Sequence, residues 1–354
     1  MTNQNSNSPS GGHTDPRRHY HDLRVAKIIR ETHDASSIVF EIPDDLAEAF
    51  HYKAGQFLTL DVPYERKKLF RCYSLASAPG IDSEHKVTVK RVVDGRISNW
   101  VNDRLNVGDT VTVLPPAGDF VLVPEEESEL VLFAGGSGIT PCISIIKTAL
   151  ATTKRKVRLF YANRDQQSVI FADELSALAT ANPDRISITH RLDVEDGFLD
   201  ESGVRAFLSD ASDASFYICG PGPFMDVVEN SLAALSVATE RIHIERFSSP
   251  ADGETLAPAT GAEVAIAVIN LDGASHELHM HEGETVLAAA KRAGIEPPFS
   301  CESGFCGCCM AKLKQGSVEM KVNDFLSAEE VEEGWVLTCQ SVLKGGRCEI
   351  EYPD

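Results

Sequence analysis

The sequence is short of positive charge, of unbroken apolar stretches and, over its first 300 residues, of cysteine. Lysine and arginine number 33 against 53 aspartates and glutamates, a formal charge of −20. So acidic a chain is ill suited to nucleic acid or anionic lipid, because polyanions repel one another. A basic partner surface suits it better. The longest apolar stretch, Leu130 to Leu150, is broken by Gly135, Gly136, Gly138, Pro141 and Lys147. A bilayer span takes about 20 nearly uncharged residues, so no membrane segment is expected. Residues 1–20 hold no apolar core and do not read as a secretory signal. A polar, disordered tail and a cytoplasmic location are expected. Nine cysteines in 354 residues are too few for a disulfide scaffold.

What is present is uneven. Cys72, Cys142 and Cys219 are scattered, while Cys301, Cys306, Cys308, Cys309, Cys339 and Cys348 crowd the C-terminal end. Such crowding points to metal or redox chemistry. The spacing Cys301-x4-Cys306-x2-Cys309, with Cys339 far downstream, is that of plant-type [2Fe–2S] ligation. Gly304 and Gly307 let the loop wrap tightly and turn backbone N–H groups toward sulfur. Four-cysteine zinc binding is the competing reading, but zinc favours paired C-x2-C knuckles and no second knuckle follows. Cys308 is expected to point away from the cluster, and Cys348, in the strand-like GRCEIEY, to be structural.

The length allows two or three domains. Residues 22–118 alternate short runs rich in Val, Ile, Phe and Thr with Gly and Pro punctuation, which predicts an antiparallel barrel. From residue 130, apolar strands (LVLFA, VRLFY, SFYIC) alternate with helical runs, which predicts a parallel sheet covered on both faces. Residues 248–262 read as a linker. Beyond them, Asp272-Gly273 predicts a type I′ hairpin, and TVLAAAKRAG a helix ending at Gly294.

Two further constellations carry chemistry. In Arg71-Cys72-Tyr73-Ser74, strand alternation places Arg71 and Tyr73 on one face. A guanidinium suits a pyrophosphate and an aromatic ring can cover a flat heterocycle. Gly95-Arg96-Ile97-Ser98 would bring helix N-terminal amides to phosphate; alone, such residues read as ordinary surface. Gly135-Gly136-Ser137-Gly138-Ile139-Thr140-Pro141 follows a strand and opens a helix, the context of a dinucleotide loop, with Pro141 expected at the first helical position. Cys219-Gly220 would end a neighbouring strand, so both glycine-rich ends would face one crevice. Cys219 reads either as a buried filler or as a sulfur against a nicotinamide. Asn163-Arg164-Asp165 would meet the coenzyme's 2′ group; Arg164 suits a phosphate and Asp165 a hydroxyl, and the adjacency leaves both open.

Taken in order, RCYSLASAP, HKVTVKRVVDGRISNWV, AGGSGITP, YANRDQQSVIF, ICGPGPFM and the cysteine loop resemble the ferredoxin–NADP reductase superfamily, and within it the three-module oxygenase reductases with a C-terminal plant-type ferredoxin domain. The resemblance implies an antiparallel β-barrel FAD domain (21–125), an α/β parallel-sheet NAD(P) domain (126–247) and an α+β, β-grasp [2Fe–2S] ferredoxin domain (263–354), after a tail at 1–20 and a linker at 248–262. It implies that Arg71, Tyr73 and Ser74 hold flavin, with Ser74 at N5, and that Gly95 and Ser98 hold its pyrophosphate. Gly136, Ser137, Gly138 and Thr140 would form the coenzyme loop, and Cys219 would lie beside the nicotinamide. Glu245 matches an acidic residue at the hydride-transfer site and Phe247 an aromatic cover for the flavin. Cys301, Cys306, Cys309 and Cys339 would ligate the cluster. Cys308 replaces a small non-thiol residue of relatives.

The implied activity carries electrons from NADH, or NADPH, through FAD and [2Fe–2S] to a terminal oxygenase. That oxygenase would be Rieske-type, as for reductases serving ketosteroid 9α-hydroxylases, or di-iron, as for those serving phenylacetyl-CoA epoxidases. A non-enzymatic iron–sulfur carrier is the rival class, and would show cluster absorbance without flavin bands. A monomer is the default expectation. Between 258 and 354 there are 16 acidic and 7 basic residues; Glu329-Glu330 and Glu332-Glu333 read as a solvated helix face or as steering toward a basic oxygenase surface.

Overall fold

A computed structural model describes residues 19–64, 67–208, 213–247 and 261–353. The expected linker therefore lies almost wholly outside the described residues, as do residues 1–18 of the expected tail.

The N-terminal third forms a six-stranded antiparallel sheet from β1 (His21–Thr32), β2 (Ala35–Glu41), β3 (Phe57–Tyr64), β4 (Lys67–Ser74), β5 (His85–Lys90) and β6 (Thr110–Ala117), in the order β4-β3-β6-β1-β2-β5. An isolated bridge, Leu75 to Val87, joins the two edges and closes the barrel. Alternating side chains of its strands, among them Leu23, Ile38, Leu58, Leu60 and Val113, fill the interior at no more than a few per cent exposure. Helix α1 (Arg96–Arg104) covers one end with Ile97 and Val101.

A five-stranded parallel sheet follows: β7 (Leu130–Gly135), β8 (Val157–Asn163), β9 (Ile186–Leu192), β10 (Ser215–Cys219) and β11 (Ile242–Glu245), in the order β11-β10-β7-β8-β9. In β7 the wholly apolar run divides its residues between two cores. Leu130, Leu132 and Ala134 pack beneath α2 (Ile139–Thr152) and α3 (Ala172–Ala181). Val131 and Phe133 face the opposite side, which the short α4 (Asp193–Asp196), α5 (Glu201–Phe207) and α6 (Gly222–Ala234) adjoin. Burial on both faces is why the strand carries no polar alternation. Pro141 does not open α2 as expected. A 3₁₀ turn at Gly136–Gly138 runs into a helix beginning at Ile139, and Pro141 falls within its first turn, where no amide partner is lost.

The C-terminal module has β12 (Glu263–Leu271), β13 (Ala274–His281), β14 (Met310–Gln315), β15 (Glu319–Met320), β16 (Trp335–Leu337), β17 (Ser341–Val342) and β18 (Gly346–Glu351), with a main sheet ordered β13-β12-β18-β14-β16. Helices α7 (Val286–Arg292) and α8 (Ala328–Glu332) accompany it. The hairpin turns at Asp272 and Gly273 with φ of 50° and 75°, the left-handed pair that a type I′ turn demands. Chain ends β12 and β18 pair in parallel at the centre, and α7 crosses their inner face. Cys348 is buried in that core at 1% exposure, as its strand position predicts.

Candidate functional site

The site begins where the barrel meets the parallel sheet. On β10 and β11, Cys219 stands in register with Glu245, and on its other side with Ala134 at the end of β7. The Ser74 hydroxyl, at the end of β4, donates to Glu245 Oε2 across 3.2 Å. Two residues 171 positions apart in sequence thus meet at one buried point. Burial pushes the Glu245 carboxyl well above the usual range, against the hydrogen bond from Ser74. Burial, with Glu245 and Cys142 nearby, also raises the Cys219 thiol, so it is a neutral S–H.

Three glycines permit this closeness. A Cβ on Gly138 would lie 2.0 Å from the Cys219 carbonyl oxygen, one on Gly135 2.7 Å from Pro221 Cδ, and one on Gly220 2.9 Å from the Phe224 ring and 3.0 Å from the Gly135 Cα. The two glycine-rich strand ends therefore pack directly against each other. Thr140 Oγ1 donates to the Ser137 carbonyl at 3.0 Å and fixes the turn. Lys90, at the end of β5, reaches the same loop: its Nζ is 3.6 Å from where a Gly136 Cβ would stand. No sequence motif singled out Lys90, although the alternation of HKVTVK and its place at a strand end were available signals.

Asn163 ends β8, buried. Beyond it Arg164 Nε donates to Asp165 Oδ2 at 2.8 Å, and Arg164 also bonds Ser168 and His33. Asp165 accepts from the Ser168 amide as the cap of a 3₁₀ turn. The Arg164 guanidinium, with Ser168, holds the Asp165 carboxyl down at about 2. The cation and anion that stand as alternatives in the sequence are thus paired with each other.

Arg71 and Tyr73 lie on one face of β4, paired with Leu60 and Leu58 of β3. Ser74 and Cys72 lie on the other, paired with Phe57 and Thr59. Gly95 caps α1, and Ser98 Oγ accepts from the Val92 amide at 3.1 Å, closing the turn before the helix. Phe247 is 42% exposed, edge-on to Phe57 with ring centres 6.5 Å apart. A Cβ on Gly118 would strike the Phe57 ring at 2.9 Å. An exposed aromatic beside a glycine cradle and a buried acid fits a flat, redox-active ring.

In the C-terminal module the four predicted ligands gather as two pairs. Cys301 packs in one group with Cys306, and Cys309 in another with Cys339. No group of three or more His, Cys, Asp or Glu converges on a single ion among the described residues. Two thiol pairs, one for each of two irons, are the donor set a [2Fe–2S] centre takes. Gly307, at φ +70°, lies under the Phe325 ring so tightly that a Cβ would come within 2.2 Å, and Gly304 adopts φ +88°. The Ser303 amide donates to Cys301 Sγ at 3.4 Å and Gln340 Nε2 to Cys339 Sγ at 3.8 Å.

Cys308 is buried at the boundary between the modules. It is 4% exposed and packs with Cys306 against Phe57, Phe70 and Leu114 of the barrel, a contact the sequence did not announce. His19 and Tyr20 also belong to this contact rather than to a free tail. His19 bonds Glu330 at 3.0 Å and tilts against Phe325, while Tyr20 packs on Phe70. Glu330 in turn is fully buried and completes a capping box with Ser327, so it is not on the solvated face of α8; Glu329, Glu332 and Glu333 are. A cleft of about 420 Å³ lies between Ala117-Gly118 of the barrel and Phe305, Cys306 and Phe325.

Barrel, nucleotide sheet and paired-thiol module together define a pyridine-nucleotide reductase with flavin and iron–sulfur modules. Three family models match in that order: an oxidoreductase FAD-binding domain at residues 22–122, an oxidoreductase NAD-binding domain at 132–230 and a 2Fe-2S iron–sulfur cluster binding domain at 269–344. The ferredoxin reductase component of 3-ketosteroid-9-alpha-monooxygenase from Rhodococcus rhodochrous is 41% identical over 93% of this chain and 96% of its own length. A component of the 1,2-phenylacetyl-CoA epoxidase of Escherichia coli is 33% identical over 91% of this chain and 95% of its own. Among solved structures, phthalate dioxygenase reductase, described as modular for electron transfer from pyridine nucleotides to [2Fe-2S], superposes at a TM-score of 0.62 with 26% identity, covering 96% of this chain and all of that one. The chain belongs to the ferredoxin–NADP reductase superfamily, in the family of oxygenase reductases with a C-terminal [2Fe–2S] domain. It is an NAD(P)H-dependent oxidoreductase whose cofactors are FAD and a [2Fe–2S] cluster. No helix among the described residues is long and apolar enough to cross a membrane.

Proposed function

We propose that this reductase takes electrons from NADH and delivers them singly to a Rieske-type oxygenase acting on a ketosteroid at C9. The particular oxygenase rests on the 41% identity to a reductase component of that name. The epoxidase component, at 33%, makes a di-iron oxygenase the second reading. When bound, the coenzyme supplies an electron pair, FAD splits it, and the cluster passes on one electron at a time.

The protein's part is placement. Gly136, Ser137, Gly138 and Thr140 would hold the coenzyme diphosphate, with Lys90 offsetting its charge. Cys219 and Glu245 would border the nicotinamide. Ser74, tied to Glu245, would hold the flavin ring from the other side, with Arg71 and Tyr73 on the flavin, Gly95 and Ser98 at its pyrophosphate, and Phe247 as a cover that yields to nicotinamide. Asn163, Arg164 and Asp165 would meet the adenosine ribose. Because Asp165 neutralises Arg164, a 2′-phosphate would find no unpaired guanidinium there, which favours NADH over NADPH. Cys301 and Cys306 would hold one iron, Cys309 and Cys339 the other. The domain division at 21–125, 126–247 and 263–354 fits these roles. A cytoplasmic monomer suits an enzyme whose nine cysteines stay unpaired in disulfides.

The single observation that carries the reading is the Ser74–Glu245 bond, which brings flavin strand and nucleotide sheet to one point. Purified reductase should be mixed separately with a ketosteroid 9α-hydroxylase and with a phenylacetyl-CoA epoxidase, and NADH use followed against product. Coupled turnover with the first supports the proposal, coupling only to the second moves the partner, and NADH-inert protein overturns the reading.

A further inference from the structure

Where the barrel meets the cluster loop, an apolar contact encloses a polar knot, separate from the His19–Glu330 pair. Phe57, Phe70 and Leu114 face Cys306 and Cys308. Among them the half-buried Cys72 sits with its Sγ 3.0 Å from Ser300 Oγ and 3.3 Å from Thr59 Oγ1. Ser300 immediately precedes the first ligand, Cys301, and Thr59 is Cys72's direct partner on β3. Cys72 also packs against the group of side chains that holds Cys306 and Cys308. Two residues along the same face of β4, about 7 Å by strand rise, stands Ser74, which is bonded to Glu245.

We propose that Cys72 is a positioning residue for the electron step between flavin and cluster: its thiol seats the cluster loop on β4 and donates a hydrogen bond to the sulfur of Cys306. In both contacts either atom can be the donor; with the Ser300 and Thr59 hydroxyls as donors, the S–H of Cys72 is free to point at Cys306, whose sulfur would accept it as a cluster ligand. One electron leaves the reduced flavin and one arrives on the ferric pair, while Cys72 keeps its proton and changes no bond. A hydrogen bond to a ligand sulfur stabilises the more negative, reduced cluster and so raises its potential.

This rests on the electron-transfer reading, and the test separates the two. Holoenzyme carrying Cys72→Ala, and separately Cys72→Ser, is titrated with dithionite while cluster reduction is followed by electron paramagnetic resonance. Stopped-flow then follows flavin reduction by NADH and the later cluster reduction as separate phases. Cys72→Ala is expected to lower the cluster's electron affinity about tenfold, which for one electron is about 59 mV, and to slow the second phase but not the first. Cys72→Ser, which retains a donor, should recover most of the loss. An unshifted potential in Cys72→Ala overturns the proposal, as does an equal loss in both variants, which would make the contact mere packing. If Cys72→Ala fails to load its cofactors, Ser300→Ala decides: a smaller shift in the same direction supports the proposal, and no shift overturns it. Unmodified protein that NADH cannot reduce would sink the functional reading, yet the dithionite titration would still judge Cys72.

Discussion

The two junctions of the barrel are built differently. Toward the nucleotide domain, the Ser74 hydroxyl bonds the buried Glu245, whose place beside Cys219 and Gly138 is itself fixed within the parallel sheet by register and by backbone contacts with no room for a Cβ. Toward the cluster, side chains carry the contact: the apolar patch around Phe57 and Phe70, the Cys72 knot and the His19–Glu330 pair, with a cleft of about 420 Å³ alongside. The chemistry accounts for the difference. Hydride transfer needs reacting atoms about 3–3.5 Å apart and aligned, whereas a single electron tunnels across a gap. The first junction must be rigid; the second need only be near.

The largest expected effect breaks the cluster side alone. Cys301→Ser should abolish reduction of cytochrome c while leaving NADH-driven ferricyanide reduction intact; equal loss of both would mean the two junctions are not separable. Next, Gly138→Ala should break the other side. Its Cβ would meet the Cys219 carbonyl, so the NADH reduction rate should fall at least about tenfold, since a displacement of about 1 Å can cost 10²-fold. Dithionite should still reduce the cluster normally.

A third expectation concerns Glu245. Its pKa is raised by burial, so from the ordinary carboxylate range upward the folded state holds a proton that the unfolded state has lost. Stability then falls as pH rises through that range. Glu245→Gln should flatten this part of the curve of melting temperature against pH, and it should slow flavin reduction by about 10² if the group moves or holds a proton. An unchanged pH slope would remove Glu245 from the buried, protonated role. Smaller again, Asp165→Asn frees Arg164 and should raise the NADPH/NADH ratio of kcat/KM by about tenfold, the scale of one charge-assisted hydrogen bond; no change would place the 2′ group elsewhere. Smallest, His19→Ala should cost about 1 kcal/mol or less, read as a slightly lower melting temperature of the C-terminal module without change in flavin reduction.

Much of this was legible in the chain. The cysteine spacing, the glycine loop after an apolar strand and the Asp272-Gly273 turn each depend on local geometry, which sequence encodes directly. What escaped was contact between modules. Glu330 reads as one more acid in EEVEE, yet packing buries it under His19. Cys308 reads only as turned from the cluster, with nothing to say that the barrel receives it. Lys90 reads as a strand terminus until β5 delivers it to the Gly136 loop. Each involves residues far apart in sequence, whose meeting depends on how finished domains dock.

By itself, then, the sequence determined three modules and their order, because spacing, periodicity and residue chemistry act over a few positions. Tertiary structure alone decided that Ser74 meets Glu245, that Arg164 is spent on Asp165, and that Cys72 lies against the cluster loop. Those depend on which faces of separately folded sheets are pressed together, and surface complementarity is set by the whole fold rather than by any short stretch of chain.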